Sequence, residues 1–445
     1  MTPLASGLNA PEIRVLPLVR RPEFERLQAA HPGRYPGIFR GSGDTGWDIL
    51  FAFPEDCVAV ASEAALAALE AHPAMQLQPR PTPDSGLPFG GGWLCVLSYA
   101  LGSAFEPSAG RARDPDTFPL AWLVRVPAAM LYQRSTGRCL LVAEAGQGAL
   151  LDAMERDLAS LPPDVPAMPA LRALDEEPAE RFLNGVERIL EYIRAGDVFQ
   201  VNLSRGWQAE FGAAVPPAAL FNQLMQKNPA PFSALVDSGA WAIVSSSPER
   251  LVRLYRDGTL ETRPIAGTHP RSEDPAEDAA LRARLAAHPK ERAEHVMLVD
   301  LERNDLGRVC EPGSVDVAAL MEIASYRHVH HIESTVRGRL QDGTRVIDVL
   351  RAVFPGGTIT GCPKIRTMQI IRELEQTPRR SYTGSVGYIN RDGSFDFNIL
   401  IRSFLVRGKT LEFRAGAGIV ADSIATRELE ETRAKARGLL RALEP

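Results

Sequence analysis

Between residues 161 and 178 the chain carries five prolines, Pro162, Pro163, Pro166, Pro169 and Pro178. Proline has no N–H to give a helix interior or an inner strand, so neither element can run through this stretch. It reads as a linker between an N-terminal domain, residues 1–165, and a C-terminal domain, residues 178–445. A second Pro- and Gly-rich stretch, residues 72–92, ends in Gly90, Gly91 and Gly92. In the first domain the apolar runs IRVLPLV, WDILFAF and AWLVRV alternate with turn residues, which predicts strands with one Ala-rich helix near residues 62–71.

After the linker, Phe182, Val186, Ile189, Leu190 and Ile193 follow the spacing of one apolar helix face, and Gly196 ends it. Phe199, Val201 and Leu203 then alternate with Gln200, Asn202 and Ser204, predicting a strand with one apolar face and one amide-and-hydroxyl face. Gln200 should therefore point away from the core side.

The chain of 445 residues has a formal net charge of -5, so no basic field gathers phosphate backbones and nucleic acid is not an expected partner. Cys57, Cys95, Cys139, Cys310 and Cys362 are scattered without a CxxC pair, which predicts reduced thiols in a cytoplasm rather than a disulfide frame or zinc site. No apolar run reaches the length of a membrane span, so no membrane partner is expected.

The polar signals concentrate between residues 245 and 435. In KERAEHVMLVDLERND, Glu291 and Glu294 are three apart on a predicted helix and share one face. In RELEETRAKARGLL, Glu428 and Glu431 repeat that spacing and Lys435 continues the stripe. Two such helices either present solvated charge, the commoner outcome for paired glutamates, or hold Mg²⁺ through one or two oxygens with water and an anionic substrate. RAGAGIVADS places Gly416 and Gly418 after the strand LEFRA, as a plain turn or as bare backbone open to a carboxylate. FPGGTITGCPK departs from the phosphate-loop pattern at Cys362 and Pro363, leaving Thr358 and Thr360 as hydroxyl donors on a turn. His328, His330 and His331 invite a metal reading, but strand alternation puts His331 on the face opposite the other two. Glu249, after a Ser-rich strand end, could stay protonated if buried and act as a general acid, or could simply start a helix. Arg402, inside the apolar run FNILIRSF, calls for an anionic partner.

FQVNLSR, SSSPER, RPIAGTHPR, ERAEHVMLVDLERNDLGRV, FPGGTITGCPKIR, YTGSVGY and GAGIVADS together resemble the chorismate-utilising enzymes, almost continuously over residues 180–445. The resemblance implies an α/β (α+β) fold: a sandwich of two antiparallel β-sheets with outer helices, completed by the first domain. It implies Mg²⁺ bound by Glu294 and Glu431, with Glu291 and Glu428 helping through water, against the ring carboxylate of chorismate. Gly416, Ala417, Gly418 and Lys435 would hold that carboxylate, Tyr382 and Arg402 the enolpyruvyl carboxylate. Thr358 would line the pocket, Glu249 would help the C4 hydroxyl depart, and His331 would stand beside the reacting ring.

Within the family Gln200 resembles the aminating branches, since the hydrating enzymes have there a lysine that activates water. VNLSR, PFSA, SSSPER and FPGGTITG resemble the aminodeoxychorismate branch, whereas Ala266 in RPIAGT resembles anthranilate synthases, because the first branch usually has a covalently acting lysine there. The N-terminal domain also lacks an LLES-type feedback segment. The weight of motifs favours amination at C4, in the route to 4-aminobenzoate and folate. A GxCxG glutaminase nucleophile does not occur in the sequence, which implies a separate glutaminase subunit as ammonia source. A non-catalytic chorismate or tryptophan sensor is the alternative outside enzymes.

Overall fold

The computed structural model describes residues 10–17, 21–79, 86–110, 118–161, 164–326 and 329–444. His328 lies outside them, as do the side chains of residues 268–270 and 290. Among the described residues two antiparallel sheets organise the chain, one of 12 strands and one of 10. Both sheets draw strands from either side of the proline-rich stretch. In the larger, Gly37–Arg40 pairs with Phe232–Asp237; in the smaller, Gly92–Leu97 pairs with Ser385–Asn390. The stretch itself does not stay irregular, since Leu171–Glu176 forms an exposed strand against the far half of Gln200–Phe211.

Strand alternation explains the layering. In Trp47–Ala52, Ile49 and Phe51 join Leu94, Val96 and Tyr388 of the other sheet in a core between the sheets. Leu50 points the other way, to a core shared with Phe24, Leu27, Leu220 and Leu439 on the helices covering the larger sheet. Leu101, Val299, Leu306 and Leu350 cover the outer face of the smaller sheet in the same manner. The sandwich with outer helices is therefore the observed fold. No helix among the described residues is long and apolar enough to cross a membrane.

The predicted helix after the linker runs Ala179–Arg194, with Phe182, Val186, Ile189 and Leu190 buried as the spacing requires. The next strand, Gln200–Phe211, starts one residue later than its alternation suggests. Phe199 lies outside it and is 68% exposed, while Gln200, expected away from the core, is buried. The polar face of this strand is covered by other elements and becomes the wall of a site.

Candidate active site

The two glutamate segments are helices, Pro289–Gly307 and Ala425–Arg441. Proline suits the first turn because its missing N–H would be unpaired there anyway, and His288 Nδ1 accepts from the Glu291 backbone N–H at 3.4 Å. Periodicity puts each glutamate pair on one face; packing turns the faces toward each other. The Glu294 carboxyl is held above the usual range, first by burial and then by the like charges of Glu291 and Glu431, against the opposing Gln200 hydrogen bond and Lys435. Lys435 Nζ pairs with Glu431 Oε1 at 2.6 Å and donates to the Gly416 carbonyl at 3.1 Å. Glu428 is buried on the same helix.

Among the described residues no three His, Cys, Asp or Glu side chains form a ready metal cage. The donor set still fits Mg²⁺, which keeps several waters and takes one or two carboxylates. Glu294, raised by burial and by neighbouring negative charge, and Glu431, facing it from the other helix, are the groups that would hold the ion.

Gly416 and Gly418 do not form a turn after a strand. They lie inside Thr410–Ile419, opposite Ser204 and Asn202 of Gln200–Phe211. Close approach accounts for both. A Cβ on Gly418 would come 2.3 Å from Gln200 Nε2 and 3.3 Å from Glu294 Oε1; one on Gly416 would come 2.7 Å from Asn202 Oδ1 and 2.9 Å from the Tyr382 hydroxyl. Ala417, between them, turns its methyl into the core beside Val201 and Leu203. Gln200, Asn202, Glu294, Tyr382 and the two glycines thus meet in one place.

Arg402 is not inside a strand. It sits between Phe395–Asn398 and Ser403–Arg407 with φ +54, a left-handed conformation that costs energy without glycine. Among the described residues its guanidinium makes no salt bridge or hydrogen bond, and burial lowers its pKa while Tyr382 and Glu431 oppose. A half-buried cation with no ion-pair partner among the described residues suits an anionic ligand.

Glu249 stands between strands Ala242–Ser247 and Arg250–Leu254, buried, with Oε1 lacking a hydrogen-bond partner. Burial pushes its pKa up to about 8; the Thr358 hydroxyl and the Ile265 backbone oppose this, while Glu302 and Glu333 add to it. The site thus holds a protonated carboxyl at neutral pH. Thr358 lies in the turn Gly357–Ile359, and Thr360, expected as a second donor, bonds the Gly356 carbonyl at 2.9 Å instead. Ala266 is buried on Ile265–Pro270, opposite Ile332.

His330 and His331 follow the alternation. His330 is structural, bridging Ser325 Oγ at 2.8 Å and Asp278 Oδ1 at 3.0 Å. His331 Nδ1 faces the Gly267 carbonyl at 3.3 Å, which fixes the proton on Nδ1 and presents Nε2 as an acceptor. Burial lowers its pKa to about 4, helped by Arg402 and Lys435, so the ring is neutral.

Sequence reasoning missed Glu302, Asp305 and Lys364, buried or half-buried behind the Thr358 turn, with Lys364 Nζ on Asp305 Oδ2 at 2.6 Å. Glu302 and Asp305, three apart on Pro289–Gly307, held no more signal than any charged surface turn, and Lys364 opens a different helix, Lys364–Leu374. A cavity of about 740 Å³ beside Arg271, Asp278 and His330 lies apart from these groups.

A protonated buried acid, an unpaired arginine and two facing carboxylate helices define an enzyme built for a small anionic substrate. Residues 41–441 match the model for chorismate binding enzymes, and the chain belongs to that family. It is a chorismate-utilising enzyme. It is 49% identical over 263 residues to aminodeoxychorismate synthase component 1 of Bacillus subtilis (strain 168), a match spanning 59% of this chain and 55% of that one. It is 39% identical over 381 residues to anthranilate synthase component 1 of Aquifex aeolicus (strain VF5), covering 82% and 76%. The solved anthranilate synthase component I of Streptococcus pneumoniae TIGR4 superposes with a TM-score of 0.78 at 30% identity, covering 90% of this chain and 93% of that one.

Proposed function

We propose that this chain is the synthase component of an aminodeoxychorismate synthase, exchanging the C4 hydroxyl of chorismate for an amino group. The carrying observation is the hydrogen bond from Gln200 Nε2 to Glu294 Oε1 at 2.7 Å. An amide held by a carboxylate cannot deprotonate water, so the site suits a nucleophile that needs only positioning, as ammonia does.

Glu249 supplies the proton for the departing hydroxyl, which leaves as water. Ammonia forms the new C–N bond, and the resulting ammonium returns a proton to the Glu249 carboxylate. Arg402 and Tyr382 bind the enolpyruvyl carboxylate; the Gly416–Gly418 backbone and Lys435 orient the ring carboxylate. Glu294 and Glu431 would hold Mg²⁺, which when bound supplies positive charge for that same carboxylate. His331 accepts a hydrogen bond at the ring edge. The Ala266 methyl cannot form a covalent adduct, so ammonia adds directly.

A second reading, anthranilate formation, rests on Ala266. Purified protein with chorismate, Mg²⁺ and ammonium decides between them. A product that added aminodeoxychorismate lyase turns into 4-aminobenzoate supports the first; fluorescent anthranilate without lyase overturns it. Ammonia would come from a separate glutaminase subunit in the cytoplasm, so glutamine alone should not support turnover. A chorismate sensor would bind without consuming its ligand.

A further inference from the structure

We propose that Asn202 is a second nucleophile-positioning residue: its side-chain oxygen and that of Gln200, two buried acceptors without donors on one face of the strand Gln200–Phe211, seat the ammonia that enters the ring. The inference rests on the reading that ammonia is the nucleophile, whichever ring carbon it joins. Asn202 lies two residues from Gln200, so alternation turns both side chains to the same wall of the site. Gln200 Oε1 and Asn202 Oδ1 are both buried, and neither has a hydrogen-bond partner among the described residues. The backbone of Asn202 is held on both sides: its N–H donates to the Thr360 carbonyl at 2.9 Å and its carbonyl accepts from Arg379 Nη2 at 2.7 Å. Its side-chain oxygen takes no part in that. A leucine would fill the same place without an unmet acceptor, so the amide costs the fold stability that an apolar side chain would not.

Each amide packs over one glycine of the neighbouring strand, Thr410–Ile419. A Cβ on Gly418 would come 2.3 Å from Gln200 Nε2; one on Gly416 would come 2.7 Å from Asn202 Oδ1 and 2.9 Å from the Tyr382 hydroxyl. Glu294 Oε1 accepts from Gln200 Nε2 at 2.7 Å, which turns Gln200 Oε1 away from the helix. The two oxygens call for more donors than chorismate has. Its two carboxylates only accept, and its one hydroxyl, the group that Glu249 protonates in leaving, brings a single O–H. Ammonia brings three N–H donors and one lone pair. Acceptors that hold its N–H bonds leave the lone pair free to form the C–N bond, whereas an ammonium or hydroxyl donor in their place would engage it.

Asn202→Leu removes the acceptor and keeps the bulk. With chorismate, Mg²⁺ and ammonium, the apparent KM for ammonium should rise about tenfold while the chorismate KM holds and the melting temperature does not fall. Asn202→Asp keeps oxygen acceptors and should leave the ammonium KM within about threefold of wild type; a loss equal to that of Asn202→Leu counts against the seat. A raised chorismate KM with an unmoved ammonium KM overturns the proposal and gives the amide to a carboxylate of the substrate. A lower melting temperature with equal loss in every kinetic constant also overturns it, marking a structural role. If Asn202→Leu fails to fold, Asn202→Ala adds no bulk and reads the same split. Wild-type enzyme that leaves chorismate intact at every ammonium concentration sinks the functional reading and the seat with it. A wild type that turns over while Asn202→Leu keeps its ammonium KM sinks the seat alone.

Discussion

Gln200 and Glu294, 94 residues apart, are joined by a hydrogen bond of 2.7 Å between the amide nitrogen and Oε1. A carboxylate only accepts, so the contact fixes which end of the amide faces the helix and leaves the Gln200 carbonyl oxygen buried without a donor. The strand that holds the proposed nucleophile site and the helix that would hold the metal are thereby locked in register.

Gly418→Ala tests that lock. The added methyl would sit 2.3 Å from Gln200 Nε2 and must displace it. Turnover of chorismate should fall on the order of 100-fold with a small change in melting temperature, because a displacement near 1 Å at reacting groups has that effect. Steady-state rates and thermal melts of the same preparation check it. Wild-type rates would show the lock to be unimportant.

Glu294→Gln and Glu431→Gln should each abolish Mg²⁺-dependent consumption of chorismate, and chelation should do the same to the wild type until Mg²⁺ is restored. The raised Glu294 carboxyl adds a pH sign: it takes up a proton at higher pH than an ordinary glutamate, so apparent Mg²⁺ affinity weakens early on acidification. Calorimetric Mg²⁺ titrations over pH measure this. Flat affinity down to the usual carboxylate range would count against Glu294 as a ligand.

Glu249→Gln should lower kcat by about 10²- to 10⁴-fold, the usual worth of a positioned general acid. In the wild type the rate should decline above a pH of about 8, as the acid is lost. Stability also falls with rising pH, but over a lower window. The unfolded Glu249 ionises near 4.3 and the folded one only at about 8, so the unfolded state releases its proton first and stability falls as pH rises between those values. The variant has no proton to lose and should melt higher than the wild type at pH 8.

The buried pair of Glu375 and Arg379, 2.6 Å apart and both nearly inaccessible, underlies the site floor. Glu375 Oε1 also accepts from the Ser204 N–H and hydroxyl at 2.8 and 2.9 Å. Glu375→Ala would strand a buried guanidinium and should cost about 3–5 kcal/mol, read from urea denaturation. Burial raises the Glu375 carboxyl, but Arg379, Arg414 and Ser204 outweigh it and hold the group below its ordinary value. Its stabilisation is present above the unfolded carboxyl range and is lost as pH falls through the folded one.

Local pattern made part of this site legible. Three-residue spacing puts Glu291 with Glu294 and Glu428 with Glu431, and a helix enforces that whatever it packs against. Strand alternation separated His330 from His331, and family motifs named Glu249, Tyr382 and Arg402. Pattern failed where neighbours outside the segment decide. Phe199 continued the apolar alternation yet lies in solvent, because the strand begins at Gln200. Gly416 and Gly418 read as lying after a strand, as a turn or as backbone open to a carboxylate, and only the approach of Gln200, Asn202 and Tyr382 explains why they lack side chains within a strand.

The amino-acid sequence by itself determined many elements and which side chains share a face, since those follow from periods of two and 3.6 residues along a single segment, and its ordered motifs carried the resemblance to the family. Tertiary structure alone decided that the Gln200 face would be buried against Glu294, that Arg402 would stand between strands without an ion-pair partner among the described residues, and that Glu249 would be closed away from solvent. Each of those outcomes is a meeting of groups distant in the chain. Desolvation and charge at such a meeting depend on every element that closes over it, which no single segment encodes.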